Sequence, residues 1–150
     1  MLFPLSFNQN NHFSLRINTL SQHSLTGSFI VQAVKSEPIY HFKALVFKFD
    51  QNVYNFTFTI EWHHAHVPFF TTFLGKLTLN KEISKNTLEL DWLLVEKSQQ
   101  KSLSHGIYFL CDQPSVQHNR ITSHKLPFPL NPYNNEQNTS KGYVLTTYNS

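Results

Sequence analysis

His63, His64 and His66 form the densest set of side chains in this chain able to bind a metal ion or move a proton. His64 and His66 are two apart, which on a strand turns both rings to one side, but a third ligand would have to come from elsewhere. The stretch falls at a turn between two strands, so exposed loop histidines are expected there and a metal site is not. Nucleophilic chemistry is no better served. Ser, His and Asp all occur, yet no serine sits in a nucleophile elbow, and Cys111 lies on an apolar strand, where a thiol is more often core than catalyst. Four glycines in the whole chain leave no loop to cradle a phosphate. With no constellation of acid, base and nucleophile, the chain reads as a non-enzyme that needs no cofactor.

The aromatic residues are more informative. Asn55-Phe56-Thr57-Phe58-Thr59-Ile60-Glu61-Trp62 alternates apolar with polar side chains and ends on a tryptophan, and Leu88-Glu89-Leu90-Asp91-Trp92 ends the same way. Successive side chains of a strand point to opposite faces, so both indoles belong to the inner face of a sheet. A small closed barrel either fills its interior with side chains or holds one small ligand. An indole suits the second case, because its flat face walls a cavity and its N–H needs a partner. It suits the first equally well, as ordinary core, and composition alone leaves the choice open.

The elements that place these residues are period-2 runs over residues 2 to 8, 12 to 20, 25 to 34, 39 to 49, 53 to 62, 69 to 79, 86 to 96 and 104 to 111. Phe13, Leu15 and Ile17 share a face of the second run. Phe73, Leu77 and Leu79 share a face of the sixth, with Gly75 in the same row, where a strand bends or admits a neighbour. Short polar separators such as Ser21-Gln22-His23-Ser24 and Asp50-Gln51-Asn52 suit hairpins between successive antiparallel strands. No stretch shows a useful 3.6-residue period. The expected fold is all-β, an eight-stranded antiparallel up-and-down barrel, because closure removes exposed edges; a two-sheet sandwich is the alternative.

The barrel is assigned to residues 1–111. Beyond Cys111, Pro127-Phe128-Pro129-Leu130-Asn131-Pro132-Tyr133 cannot donate enough ladder hydrogen bonds for a central strand, and Asn134-Asn135-Glu136-Gln137-Asn138 is turn-prone. Residues 112–150 are therefore expected to be a Pro- and Asn-rich extension that docks on the barrel or on a neighbouring chain, with residues 143 to 148 forming one more strand or an extended docked peptide. A length of 150 residues with 40% hydrophobic content, including 14 Phe and 6 Tyr, supplies one aromatic core. The net charge of +3 is spread without a basic block, so no nucleic-acid partner is expected. One cysteine excludes an intrachain disulfide framework. The first residues show no basic n-region and no long apolar run, so neither a signal peptide nor a membrane span is expected.

Three motifs then occur in a telling order. Leu25-Thr26-Gly27-Ser28-Phe29 resembles the third strand of the avidin and streptavidin family, Phe58-Thr59-Ile60-Glu61-Trp62 its fifth, and Asp91-Trp92-Leu93-Leu94 its seventh. Phe7-Asn8-Gln9, Thr71-Thr72-Phe73-Leu74-Gly75 and Gly106-Ile107-Tyr108 are similar to its first, sixth and eighth. The resemblance spans roughly residues 5 to 111 and implies a barrel that closes over biotin, in subunits that assemble as dimers or tetramers and act outside the cytoplasm, secreted or periplasmic. Carried across, Asn8 would meet the ureido oxygen and Asn11 would stand near the family's serine. Trp62, Phe73 and Trp92 would form the walls, with Leu94 beside them, and Thr71 would approach the ring sulfur.

The departures weigh on the same site. The family's ureido-binding tyrosine falls at Phe29, the nearby Ser or Thr at Val31 or Gln32, the eighth-strand Asp or Asn at Tyr108, and a sixth-strand serine at Phe69. Gln100 stands where a tryptophan is normally lent to a neighbouring subunit. A buried polar group left without a partner costs about 1–3 kcal/mol, so several such changes would weaken biotin strongly. The implied function is non-enzymatic binding of a small molecule, with biotin as the default ligand. The alternatives are a structural or interaction module whose pocket is filled by Phe29, Phe69 and Tyr108 or plugged by the Pro-Phe-Pro-Leu stretch, or a barrel for another apolar ligand.

Overall fold

Side chains that alternate along the sequence alternate between inside and outside in the structure, a computed structural model that describes residues 3–65, 68–80, 82, 85–97, 101–112, 120–121 and 125–130. Among the described residues nine strands form one antiparallel sheet: β1 (Leu5–Gln9), β2 (Phe13–Leu20), β3 (Ser24–Val31), β4 (Ile39–Asp50), β5 (Val53–Trp62), β6 (Phe69–Asn80), β7 (Lys85–Glu96), β8 (Lys101–Cys111) and β9 (Arg120–Ile121). Each pairs with the next in sequence. β1 also lies beside β8, so the first eight strands curl into a nearly closed barrel and the sandwich alternative falls. The two-residue β9 pairs with β8 through Tyr108–Ile121 and Phe109–Arg120.

Several boundaries differ from the sequence reading, β1 covering Leu5–Gln9 rather than residues 2 to 8, and two of the shifts have visible local reasons. β3 stops at Val31 rather than at residue 34, because the Gln32 and Ala33 N–H groups turn away from the ladder to the His12 carbonyl. β8 begins at Lys101 rather than 104, since its pairing with β7 continues past an irregularity at Leu94 and Val95 to Glu96–Lys101. Residues 143 to 148, His66 and Gln100 lie outside the described residues.

The inner face is a continuous apolar lining. Phe7, Leu15, Ile17, Leu25, Phe56, Leu77, Leu88 and Leu90 are fully or almost fully buried. Each such side chain contributes about 1.5–3 kcal/mol by leaving water. The glycine of the sixth run admits a neighbour: a Cβ on Gly75 would lie 2.3 Å from the Phe56 ring. Gly27 on β3 does the same for Phe42, whose ring stacks on Phe58 at 3.8 Å between centroids. Missing side chains at two points thus let large rings cover the barrel floor.

Candidate functional site: the barrel mouth and the segment inside it

Antiparallel alternation puts the end of β1, the start of β2, the ends of β3 and β5, the start of β6, the end of β7 and the start of β8 at one rim. Inside this mouth the rings form one connected cluster. Phe13 stacks on Phe29 with centroids 4.9 Å apart, and Phe29 meets Phe73 at 5.3 Å and Trp62 at 5.4 Å. Phe13 meets Tyr108 edge-on at 5.3 Å, and Trp92 stacks over Tyr108 at 6.5 Å. Both indoles point inward and are 3% exposed. Their walls face occupied space, because Phe128 stands among Phe13, Phe29, Trp62 and His64 at centroid distances of 5.9–6.5 Å, fully buried.

Phe128 is the centre of residues 125–130, which run into the mouth with Pro127 and Pro129 buried on either side. The barrel donates a hydrogen bond to every second carbonyl of this segment. Tyr108 O–H donates to the Lys125 carbonyl, Thr71 O–H to Pro127 at 2.6 Å, and His64 Nε2–H to Pro129 at 2.6 Å. The Thr71 hydroxyl in turn accepts the Trp62 Nε1–H at 2.7 Å. Tyr40 O–H donates to His64 Nδ1 at 2.7 Å while its oxygen accepts the His64 backbone N–H at 3.0 Å. With Nδ1 accepting, the neutral imidazole carries its proton on Nε2, the tautomer that the Pro129 carbonyl requires.

Burial sets the electrostatics. The His64 pKa lies below the ordinary imidazole value, chiefly because burial disfavours the charged ring; the Pro129 carbonyl works against this and the charge of His63 adds to it. Burial likewise raises Tyr40, partly offset by its hydrogen bonds to the His64 and His63 backbone, and pushes Tyr108 well above the tyrosine range. At the outer rim Lys97 pairs with Glu61 and lowers its carboxyl. Among the described residues no three His, Cys, Asp or Glu side chains gather closely enough to hold a metal ion.

The structure brings most of the sequence-derived site residues together and turns two away. Phe29, Val31, Trp62, Phe69, Thr71, Phe73, Trp92, Leu94 and Tyr108 all face the interior and are buried. Asn8 does not: the inward parity of β1 is Leu5, Phe7, Gln9, so Asn8 is on the outer face and Gln9 takes the interior place. Asn11 sits exposed in the β1–β2 turn with φ of 65°, a left-handed conformation that asparagine tolerates, and its side chain stays outside. The expectation of exposed loop histidines fails for His64, which closes over the segment, and holds for His63.

At the mouth end three inward groups have no partner among the described residues. They are both polar atoms of the Gln9 amide, the Trp92 Nε1–H and the Ser104 hydroxyl, all buried. In the ladder Trp92 stands opposite Gly106 and Leu94 opposite Ser104, which puts both groups in the rim half of β7 and β8, as Gln9 is of β1. Gln9, Tyr40 and the inward role of His64 are what sequence reasoning missed, whereas Phe128 belongs to the Pro-Phe-Pro-Leu stretch that one of its alternatives placed as a plug. Parity in Leu5-Phe7-Gln9 would have given the first.

No family model and no curated protein matches the sequence. The chain is similar in structure to the crystal structure of a biotin-binding protein from chicken, with 19% identity and a TM-score of 0.56, over 73% of this chain and 94% of that one. The likeness is one of fold: this chain has the avidin-like barrel.

Proposed function

We propose that the chain is a non-enzymatic binding protein of the avidin type, whose barrel takes one small ligand bearing a carbonyl and N–H groups, biotin being the first to test. One observation carries this reading. The Gln9 amide, the Trp92 N–H and the Ser104 hydroxyl are buried at the mouth end without partners among the described residues. Each unmet group costs about 1–3 kcal/mol, so a ligand that matches them recovers stability that the barrel forgoes without one. Trp62, Phe73, Trp92 and Leu94 would wall such a ligand, with Phe29, Val31, Phe69, Thr71 and Tyr108 around it. The amide of Gln9, not of Asn8, would meet a ureido group. Titration calorimetry of the full chain with biotin tests the reading; no heat, together with no competition by a biotin analogue, would sink it.

A second reading is favoured by Phe128: the barrel is an interaction module whose interior belongs to its own segment. Both readings are compatible with self-association, which we propose from the outer face of β4, where Phe47 and Phe49 are 61% and 81% exposed in line with Leu45. Sedimentation of Phe47→Ser and Phe49→Ser chains would show a lower mass than the unmodified protein if that face pairs subunits, and an unchanged mass if it does not.

A further inference from the structure

We propose that the mouth is a peptide-binding site for a bent Pro-Phe-Pro sequence, and that residues 125–130 are its tethered, exchangeable occupant. This rests on the reading of the barrel as a binding protein and names the ligand class its aromatic half recognises.

The chemistry of the segment fits an apolar interior. A peptide entering a barrel must leave water with its backbone polar groups, and each one buried without a partner is costly. Proline has no N–H, so Pro127 and Pro129 remove the donors on both sides of Phe128. The carbonyls at Lys125, Pro127 and Pro129 remain, and each accepts from a barrel side chain: Tyr108, Thr71 and His64. The chain bends at Lys125, Pro127 and Phe128, which turns these alternate carbonyls toward donors on different parts of the rim. The spacing of the three donors, on β8, on β6 and after β5, therefore reads backbone rather than side chains. Sequence is read at the ring between them, where Phe128 is enclosed by Phe13, Phe29, Trp62 and His64.

Two details distinguish a recognition site from a stretch of core. Two of the three donors are held by a further group: Thr71 by the Trp62 N–H, and His64 by Tyr40 through both its ring and its backbone. These supports belong to the barrel, so these two donors stay aimed whether or not the segment is present. The contacts with the segment include one fully buried aromatic anchor and a row of carbonyls, with Leu126 and Leu130 packed against the core on either side, the kind of contact by which peptides are held in grooves. Gln9, Trp92 and Ser104 play no part in them, so the occupant leaves the polar groups of the mouth unmatched.

The test uses the full chain carrying Phe128→Ala, which removes the anchor and leaves the barrel donors in place. The hexapeptide Lys-Leu-Pro-Phe-Pro-Leu is titrated into it and into the unmodified chain, followed by tryptophan fluorescence. The altered chain is expected to bind the peptide at least about tenfold more tightly, because its own segment no longer competes. A peptide with Ala for Phe is expected to bind at least about tenfold more weakly than the hexapeptide. Equal affinity of the two chains, or of the two peptides, overturns the proposal. So does loss of the fold in Phe128→Ala, provided that Phe128→Leu, which keeps an apolar anchor, folds and binds the hexapeptide no better than the unmodified chain. Biotin is titrated in parallel. Peptide binding with no response to biotin leaves this inference standing and removes the small-ligand reading, whereas biotin binding without peptide binding does the reverse.

Discussion

Thr71→Val is the sharpest single perturbation of this mouth. The fully buried hydroxyl of Thr71 accepts from Trp62 Nε1 at 2.7 Å and donates to Pro127 at 2.6 Å. Valine keeps the branched shape and the preference for a strand, so β6 keeps its place while both hydrogen bonds vanish. An indole N–H and a peptide carbonyl are then buried unmet, at about 1–3 kcal/mol each, or about 2–6 kcal/mol together. Urea unfolding followed by tryptophan fluorescence should show that loss as a lower midpoint at unchanged slope. Thr71→Ser keeps the hydroxyl and should lose no more than about 1.5 kcal/mol, the usual cost of one methyl group. The decisive comparison is the same Thr71→Val change made in Phe128→Ala. With the segment withdrawn, the Pro127 carbonyl is hydrated and only the Trp62 part remains, so the two changes should couple by about 0.5–3 kcal/mol. A loss below about 0.5 kcal/mol in the unmodified chain, or an identical loss in both backgrounds, would refute the linkage of wall to segment.

Gly75→Ala places a Cβ 2.3 Å from the Phe56 ring, and is expected to destabilise the chain by about 1–3 kcal/mol in denaturant titration, with Phe56→Leu in the same chain restoring part of it. His64 favours its neutral form in the folded chain, so its contribution to stability is complete above the ordinary imidazole pKa of about 6.5 and is lost as pH falls below it. Thermal melts from pH 8 to 5 should show that loss, and a His64→Phe chain should flatten this part of the profile. Gln9→Leu removes a buried amide that has no partner among the described residues, so it should stabilise the unliganded chain by about 1–3 kcal/mol while weakening any ligand that hydrogen-bonds there; chemical denaturation and calorimetry of one preparation check both signs.

What the sequence made legible follows from how strongly each feature is encoded locally. Strand order and the inward rows were readable because a buried face imposes strict alternation, as in Phe56, Phe58, Ile60 and Trp62. Nine of the expected site residues lie in the interior because they share that parity. Asn8 failed for the same reason turned around: matching Phe-Asn-Gln by residue type moved the match by one position, and in a strand one position is the opposite face. Asn11 failed because a turn residue at positive φ owes nothing to alternation. The roles of Tyr40 and His64 were illegible because each depends on contacts between distant parts of the chain, which no local periodicity records; the Pro-Phe-Pro-Leu plug was legible only as an alternative, from prolines that cannot continue a ladder.

The substitutions that count against a polar ligand in this barrel are the ones that suit its own segment. The family resemblance puts a hydroxyl-bearing ring at position 29, and the phenylalanine present there touches Phe13, Trp62, Phe73 and Phe128 instead. At position 108, where the same resemblance implies an acidic or amide side chain, the phenol present is long enough to reach the Lys125 carbonyl from inside the barrel. An untethered ligand must then displace a competitor held by a covalent tether, for which effective concentrations reach the millimolar range. Its apparent affinity falls by the fraction of molecules whose mouth is open, so docking worth about 2.8 kcal/mol lowers it about 100-fold. Weak binding by the intact chain and strong binding by Phe128→Ala would therefore have one cause, and measuring the ratio of the two gives the docking free energy of the segment directly.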